Sequence, residues 1–277
     1  MRICFMLTLN ITDIHSEALK SKLNRIGLKS TKASSAEFKK HVDILVELVH
    51  NSPSEDEVRA RIRDFFVDTE ISSRENIVLG KKSNDKKGTP DISIRSRNGK
   101  YVASIVEVKR PSNDEMLKQD DANRKAFHEL VLYFMNEVFL DDEIHNHNIQ
   151  TLIATNGIQW FIFSAKDFHR VFGNKTFLGK YKEYLGANIG NSTDNFYRKT
   201  KTYLDETDIT IPCTYADLSK LNSRDSMIVK NILSQQFILG GTKEKDSNDI
   251  NKKFYDELLH IMGLQEYKDD DNKLVIG

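Results

Sequence analysis

The chain has 277 residues, 39% of them hydrophobic and 30% charged, with 41 basic side chains balanced by 41 acidic ones. That length supports a sizeable core in one large or two small domains, and the balance excludes a global positive field that would advertise a polyanion partner. Two widely separated cysteines, Cys4 and Cys213, exclude a disulfide framework or a zinc ribbon, and no apolar run approaches the roughly 20 residues that cross a bilayer; the expectation is a soluble, cytoplasmic protein without a membrane partner.

Residues 14–50 read as helical, with Phe38, Val42, Leu45, Val46 and Val49 at helical spacing. Asn51-Ser-Pro-Ser interrupts. Ser54 then caps a new helix, SEDEVRARIRDFFVD, with Glu57 in capping-box position and Val58, Ile62, Phe65 and Phe66 on the buried stripe. Three strand-like runs follow at 75–80, 90–95 and 100–109, the last two joined through Asn98-Gly99, whose residues both tolerate positive φ and favour a tight hairpin. A helix is expected over 112–140, then strands at 150–156 and 158–164 around Asn156-Gly157. Beyond Lys166 the pattern is helical and polar, ending in an amphipathic helix over 250–264. The order α-β-β-β-α-β-β over 54–164 argues for a mixed α/β layer fold. Expected domains are an N-terminal helical segment, 1–50, an α/β core, 51–170, and a mainly helical C-terminal region, 171–277.

The chemistry concentrates in GTPDISIRSRNGKYVASIVEVKRP, residues 88–111. Strand side chains alternate, so Val102, Val106 and Val108 share one face while Ile105, Glu107 and Lys109 share the other. Glu107 and Lys109 then project together, about 7 Å apart along the strand. Hairpin pairing brings Asp91 near Val106 and Glu107. Two carboxylates so close repel unless a cation lies between them, and Mg²⁺ suits a site of two carboxylates plus water. Lys109 would orient a metal-bound water and offset charge at a phosphoryl centre.

Asp91, preceded by Pro90 and followed by Glu107-Val108-Lys109, resembles the PD-(D/E)XK nuclease signature, and the α-β-β-β-α-β order resembles that superfamily's core. A wider resemblance runs through EVKRP, NRKAFHELVLYF, LIATNGIQWFIF and ILSQQFILGG…NDINKKFYDELLHIMGL. These segments resemble the N-terminal nuclease region of type IIG restriction–modification enzymes. The resemblance implies a Mg²⁺-dependent endonuclease acting on double-stranded DNA and leaving a 5′-phosphate and a 3′-hydroxyl. The sequence holds no Asn-Pro-Pro-Tyr motif and no glycine-rich methyl-donor loop, so the resemblance implies a nuclease moiety, either a piece of a larger enzyme or one subunit of a split one, with a methyltransferase or specificity subunit or domain as partner and dimerisation for double-strand cutting. Asp91 and Glu107 would hold the metal and Lys109 the attacking water. A further carboxylate would come from the first core helix, where Glu55 shares the apolar stripe's side and Glu57 fits a cap instead. Lys86 and Lys87, Arg110 and Lys125 are candidate DNA-backbone contacts, within a segment, 86–125, that holds ten basic against six acidic residues. Glu129 on the following helix could support Lys109, with Tyr133 one turn on. A stand-alone defence or repair nuclease of the same superfamily, and a non-catalytic DNA-docking or assembly module, are the alternatives.

Overall fold

The computed structural model describes residues 7–28, 32–80, 88–96, 98–140, 146–186, 193–240, 259, 261–262, 266–268 and 274–276. It divides into two units, Met1–Gly240 and Gly241–Gly277.

The larger unit is built on one seven-stranded mixed sheet flanked by helices, an α/β fold. Its strands are β1 (Leu7–Thr12), β2 (Ile77–Leu79), β3 (Ile92–Arg95), β4 (Val102–Val108), β5 (Thr151–Thr155), β6 (Gln159–Ser164) and β7 (Ile209–Asp217), in the spatial order β1-β7-β6-β5-β4-β3-β2. The β1–β7 and β4–β5 pairs are parallel and the other four antiparallel. The helices are α1 (Glu17–Arg25), α2 (Lys32–His50), α3 (Glu55–Asp68), α4 (Lys125–Phe139), α5 (Ala165–Phe172), α6 (Lys175–Gly186), α7 (Thr193–Glu206), α8 (Ser223–Ile232) and the short α9 (Gln235–Ile238).

Alternation along the central strands sorts their side chains into two cores. Ile105, Leu152, Ala154, Phe161 and Phe163 pack with α4 to α7. Val106, Val108, Ile153, Trp160 and Ile162 pack with α2, α3, α8 and α9 on the opposite face. In α3 the Ser54 hydroxyl accepts from the Glu57 amide at 3.2 Å, and Glu55, Asp56 and Glu57 complement the positive end of the helix dipole. Val58, Ile62, Phe65 and Phe66 are buried, each contributing about 2 kcal/mol relative to exposure. The Asn156-Gly157 turn closes β5 onto β6. Asn156 Oδ1 accepts from the amides of Ile158 and Gln159, and Gly157 takes φ +83° against the side chain of Val49 in α2.

Several expectations change here. The segment 1–50 is not purely helical: Leu7–Thr12 forms an edge strand of the main sheet. The region 171–277 likewise contributes β7, which sits between β1 and β6. The sheet therefore runs across both boundaries expected at 50 and 170, and residues 1–240 form one unit. The helix expected from 112 starts only at Lys125, because local polar bonds hold the approach in turns. Asn113 Oδ1 accepts from the Glu115 amide at 2.9 Å, and Lys118 and Asp121 exchange backbone bonds. The β3–β4 connection is not a two-residue turn. Ser96 pairs with Tyr101 across a four-residue loop in which Gly99 takes φ +68° and Asn98 does not take a positive φ.

In the smaller unit, β8 (Glu266–Lys268) and β9 (Leu274–Ile276) pair antiparallel. Most of the helix expected over 250–264 lies outside the described residues, of which Leu259 and Ile261 are helical. Among the described residues no helix is long and apolar enough to cross a membrane.

Candidate active site

The site forms where the C-terminal end of β4 meets α3, α4 and the start of β3. Near the loop the hairpin pairs Arg95 with Val102, but a bulge shifts the register so that Ile94 faces Ser104 and Ile92 faces Val106. One more step along the ladder puts Asp91 opposite Glu107. The same bulge overturns the expected grouping of Val102 with Val106 and Val108. Val102 packs against the α4 core, whereas Ala103, Val106 and Val108 belong to the α3 core.

Glu107 and Lys109 are 2% and 3% exposed, and Glu129, arriving from α4, is 8% exposed. The Lys109 ammonium donates to Glu107 Oε1 and lies 2.7 Å from Glu129 Oε2. Its backbone amide donates to the Thr155 carbonyl at 2.9 Å, which fixes the residue at the end of β4 against β5. Asp91 is anchored at both oxygens: Oδ2 accepts from the Val108 amide at 2.9 Å and Oδ1 lies 3.2 Å from Arg59 Nη1 of α3. Glu55 is half-buried at the start of α3, close enough to Lys109 to act on its charge. Glu57 instead pairs with Arg61 at 3.0 Å, one turn along α3.

The electrostatics of the cluster are acidic. Burial, then the neighbouring Glu129 and Asp91 carboxylates, push the Glu107 carboxyl well above the usual carboxylate range. Burial also raises Asp91, against the opposing pull of the Val108 amide, Lys109 and Arg59. For Lys109, burial works against the ammonium, but Glu107, Glu129 and Glu55 outweigh it and hold the group protonated. Burial pushes the Tyr133 hydroxyl up, and Glu107 and Glu129 push it further.

Three carboxylates, Asp91, Glu107 and Glu129, thus face two cations, Lys109 and Arg59, and Glu107 Oε2 is buried without a hydrogen-bond partner. A hard divalent cation would suit that donor set: it would take up the orphaned oxygen and favour the ionised form of the carboxyl that burial and its neighbours hold high. Among the described residues, however, no three His, Cys, Asp or Glu side chains stand grouped to hold an ion. A cation held by Asp91 and Glu107 would therefore need a backbone carbonyl or waters to complete its coordination sphere, Glu55 not standing grouped with them.

The candidate DNA contacts are more scattered. Lys86 and Lys87 lie outside the described residues. Arg110 is exposed and donates weakly to the Pro53 carbonyl just ahead of α3, at 3.4 Å. Lys125 opens α4, pairs with Glu115 at 3.0 Å, and lines a cavity of about 520 Å³ together with Arg124, His128, Tyr197 and Arg198. His128 is a buried structural group: its Nε2 lies 2.6 Å from Asn123 Oδ1, and burial, with Lys201 nearby, lowers its pKa to about 4. The sequence reading missed Arg59, although its place one helical turn after Glu55 on α3 marks it as a residue of the same side.

No curated protein and no solved structure matches the chain. Residues 247–277 match a family model described as "Domain of unknown function (DUF7814)". A second model spans residues 16–261, nearly the whole of the larger unit, and by that match the chain belongs to the family described as "Domain of unknown function (DUF7149)".

Proposed function

We propose that the chain is a Mg²⁺-dependent DNA endonuclease of the PD-(D/E)XK kind, the nuclease moiety of a type IIG-like restriction–modification system. The observation that carries the reading is the hairpin register. It sets Asp91 across from Glu107 and keeps Lys109 on the same face, beside Glu129 of the next helix. The element order supports it: α3, an antiparallel β2-β3-β4 meander, α4, then β5 parallel to β4, is the α-β-β-β-α-β arrangement of that superfamily.

In this reading Asp91 and Glu107 would hold the metal, with Glu55 assisting from α3. The bound ion would polarise a phosphoryl oxygen and acidify a water. Lys109, kept protonated by its two carboxylates, would donate from Nζ to the attacking water or to a non-bridging oxygen as charge grows there. Glu129 would hold that ammonium in place. One water is consumed: its oxygen ends on phosphorus, the bond to O3′ breaks, one proton ends on O3′ and the other in solvent. Lys125 and Arg110 would meet the DNA backbone. The partners in this reading are double-stranded DNA, a methyltransferase or specificity subunit or domain, and a second copy of the chain for the opposite strand.

A non-catalytic DNA-docking or assembly module is the second reading. It is favoured by the closed ion pairs, which engage Lys109 with two carboxylates and Asp91 with Arg59. Incubation of plasmid DNA with the purified chain and Mg²⁺, alongside Asp91→Ala and Lys109→Ala, separates the two. Cleavage by the wild type alone supports the nuclease. Cleavage by none of the three, even with a partner methyltransferase added, supports the docking module.

A further inference from the structure

Arg59 is built into the acidic cluster more firmly than a surface ion pair would be. Its side chain is only 12% exposed. One nitrogen, Nη1, donates to the Gly80 carbonyl at 2.9 Å and lies 3.2 Å from Asp91 Oδ1, while Nη2 reaches Asp56 Oδ1 at 2.7 Å. Gly80 and Asp91 are themselves joined, the Gly80 amide donating to the Asp91 carbonyl at 2.9 Å. The approach there is tight: a Cβ on Gly80 would stand 2.0 Å from the Pro90 carbonyl oxygen. The guanidinium is therefore held by α3 and by the end of β2, independently of the carboxylate it contacts.

We propose that Arg59 is a positioning residue for a divalent-cation site, fixing the Asp91 carboxylate opposite Glu107 by tying it to the end of β2. The inference rests on the nuclease reading. The fork geometry carries the argument. With Val108 N–H on Oδ2 and Arg59 on Oδ1, rotation of the carboxylate is blocked at both oxygens, and each keeps a lone pair for an ion. A lysine at the same place keeps the charge but cannot hold Gly80, Asp56 and Asp91 together.

The sign of the effect separates positioning from simple charge. If Arg59 were only a nearby positive charge, its removal would tighten binding of a divalent ion, and exchange for lysine would leave binding unchanged. A positioning role predicts weaker binding in both cases. The test is Mn²⁺ affinity, measured by electron paramagnetic resonance of the free ion, on the full chain and on Arg59→Gln, Arg59→Lys, Asp56→Asn and Asp91→Asn, with folding checked by thermal melting. Arg59→Gln and Arg59→Lys are each expected to weaken Mn²⁺ binding by about tenfold or more, the usual effect of removing a ligand's supporting partner. Asp56→Asn, an exposed change that leaves the core intact, loosens the fork and is expected to weaken binding measurably but by less than the Arg59 variants do; it carries the test if the Arg59 variants do not fold. Tighter binding in Arg59→Gln with unchanged binding in Arg59→Lys overturns the proposal, as does unaltered binding in Asp56→Asn where neither Arg59 variant folds. Unaltered binding in Asp91→Asn overturns the metal reading itself, whatever the Arg59 variants do.

Discussion

Lys109 at the end of β4 and Glu129 on α4 form a buried ion pair of 2.7 Å, and Glu107 holds the same ammonium from the other side. One cation thus stands between two carboxylates with little water to screen them. Removing it strands both. Lys109→Met is expected to cost about 3 kcal/mol or more in urea unfolding near neutral pH, because an uncompensated buried charge costs more than the pair contributes. Glu129→Gln added to that variant should recover part of the loss, since it deletes one of the stranded charges. Strictly additive losses in the double variant would show that the two residues do not interact.

His128 carries a pH dependence that does not involve the carboxylate cluster. Asn123 donates through Nδ2 to Asp205 and to the Lys201 carbonyl, so its Oδ1 is left to accept from the His128 ring. Burial, then the nearby Lys201 ammonium, keep the imidazole neutral in the folded protein, with a pKa near 4 against about 6.5 in the unfolded chain. A depressed pKa gives a contribution that is complete above 6.5 and is lost as pH falls toward 4. Wild-type stability should drop by on the order of 2 kcal/mol relative to His128→Gln between pH 7.5 and pH 4.5. Parallel stability curves for the two proteins would contradict the assignment.

Gly157 joins the sheet to α2. Its φ of +83° and the 2.8 Å that a Cβ would leave to Val49 Cγ2 make alanine unfavourable twice over. Gly157→Ala should lower stability by about 1–3 kcal/mol by strain at the turn and at the helix contact. Ala at Val49 in the same protein relieves the second cause only, so thermal melts of the two variants and their combination should be non-additive.

How much of this was legible in the sequence follows from the range of the interactions involved. Ser54, Glu57 and the stripe Val58, Ile62, Phe65 and Phe66 are local signals, and α3 forms where they indicate. The alternation that puts Ile105, Glu107 and Lys109 on one face was also legible, because it needs only the strand period. The strands β1 and β7 were not. They pair across nearly the whole length of the larger unit, Leu7 with Ile209, and Pro212 in ITIPCTYAD argues against a strand when read alone. Pro212 is tolerated where β7 pairs with β1 only, beyond the Ile162–Thr214 end of its ladder with β6. The bulge that sets Asp91 opposite Glu107 left no mark in YVASIVEVK. Arg59 escaped because its partners, Gly80 and Asp91, are brought to it by the sheet.

The cap of α3 offers a link between local structure and the site. Ser54→Ala should cost about 1 kcal/mol by loss of the bond to the Glu57 amide. It should also loosen the turn that carries Glu55, which the nuclease reading places beside the metal. A melt shifted by the expected amount, with Mn²⁺ affinity unchanged, would remove Glu55 from the proposed ligand set.

In the nuclease reading Asp91 and Lys109 serve phosphodiester hydrolysis. Its most direct measurement is the single-turnover rate of duplex DNA cleavage in Mg²⁺ by the wild type, with its partner methyltransferase if one is required, against Asp91→Asn and Lys109→Gln variants shown to be folded. Rates lower by on the order of 100-fold or more are expected in both variants. Equal rates in all three proteins would contradict that reading.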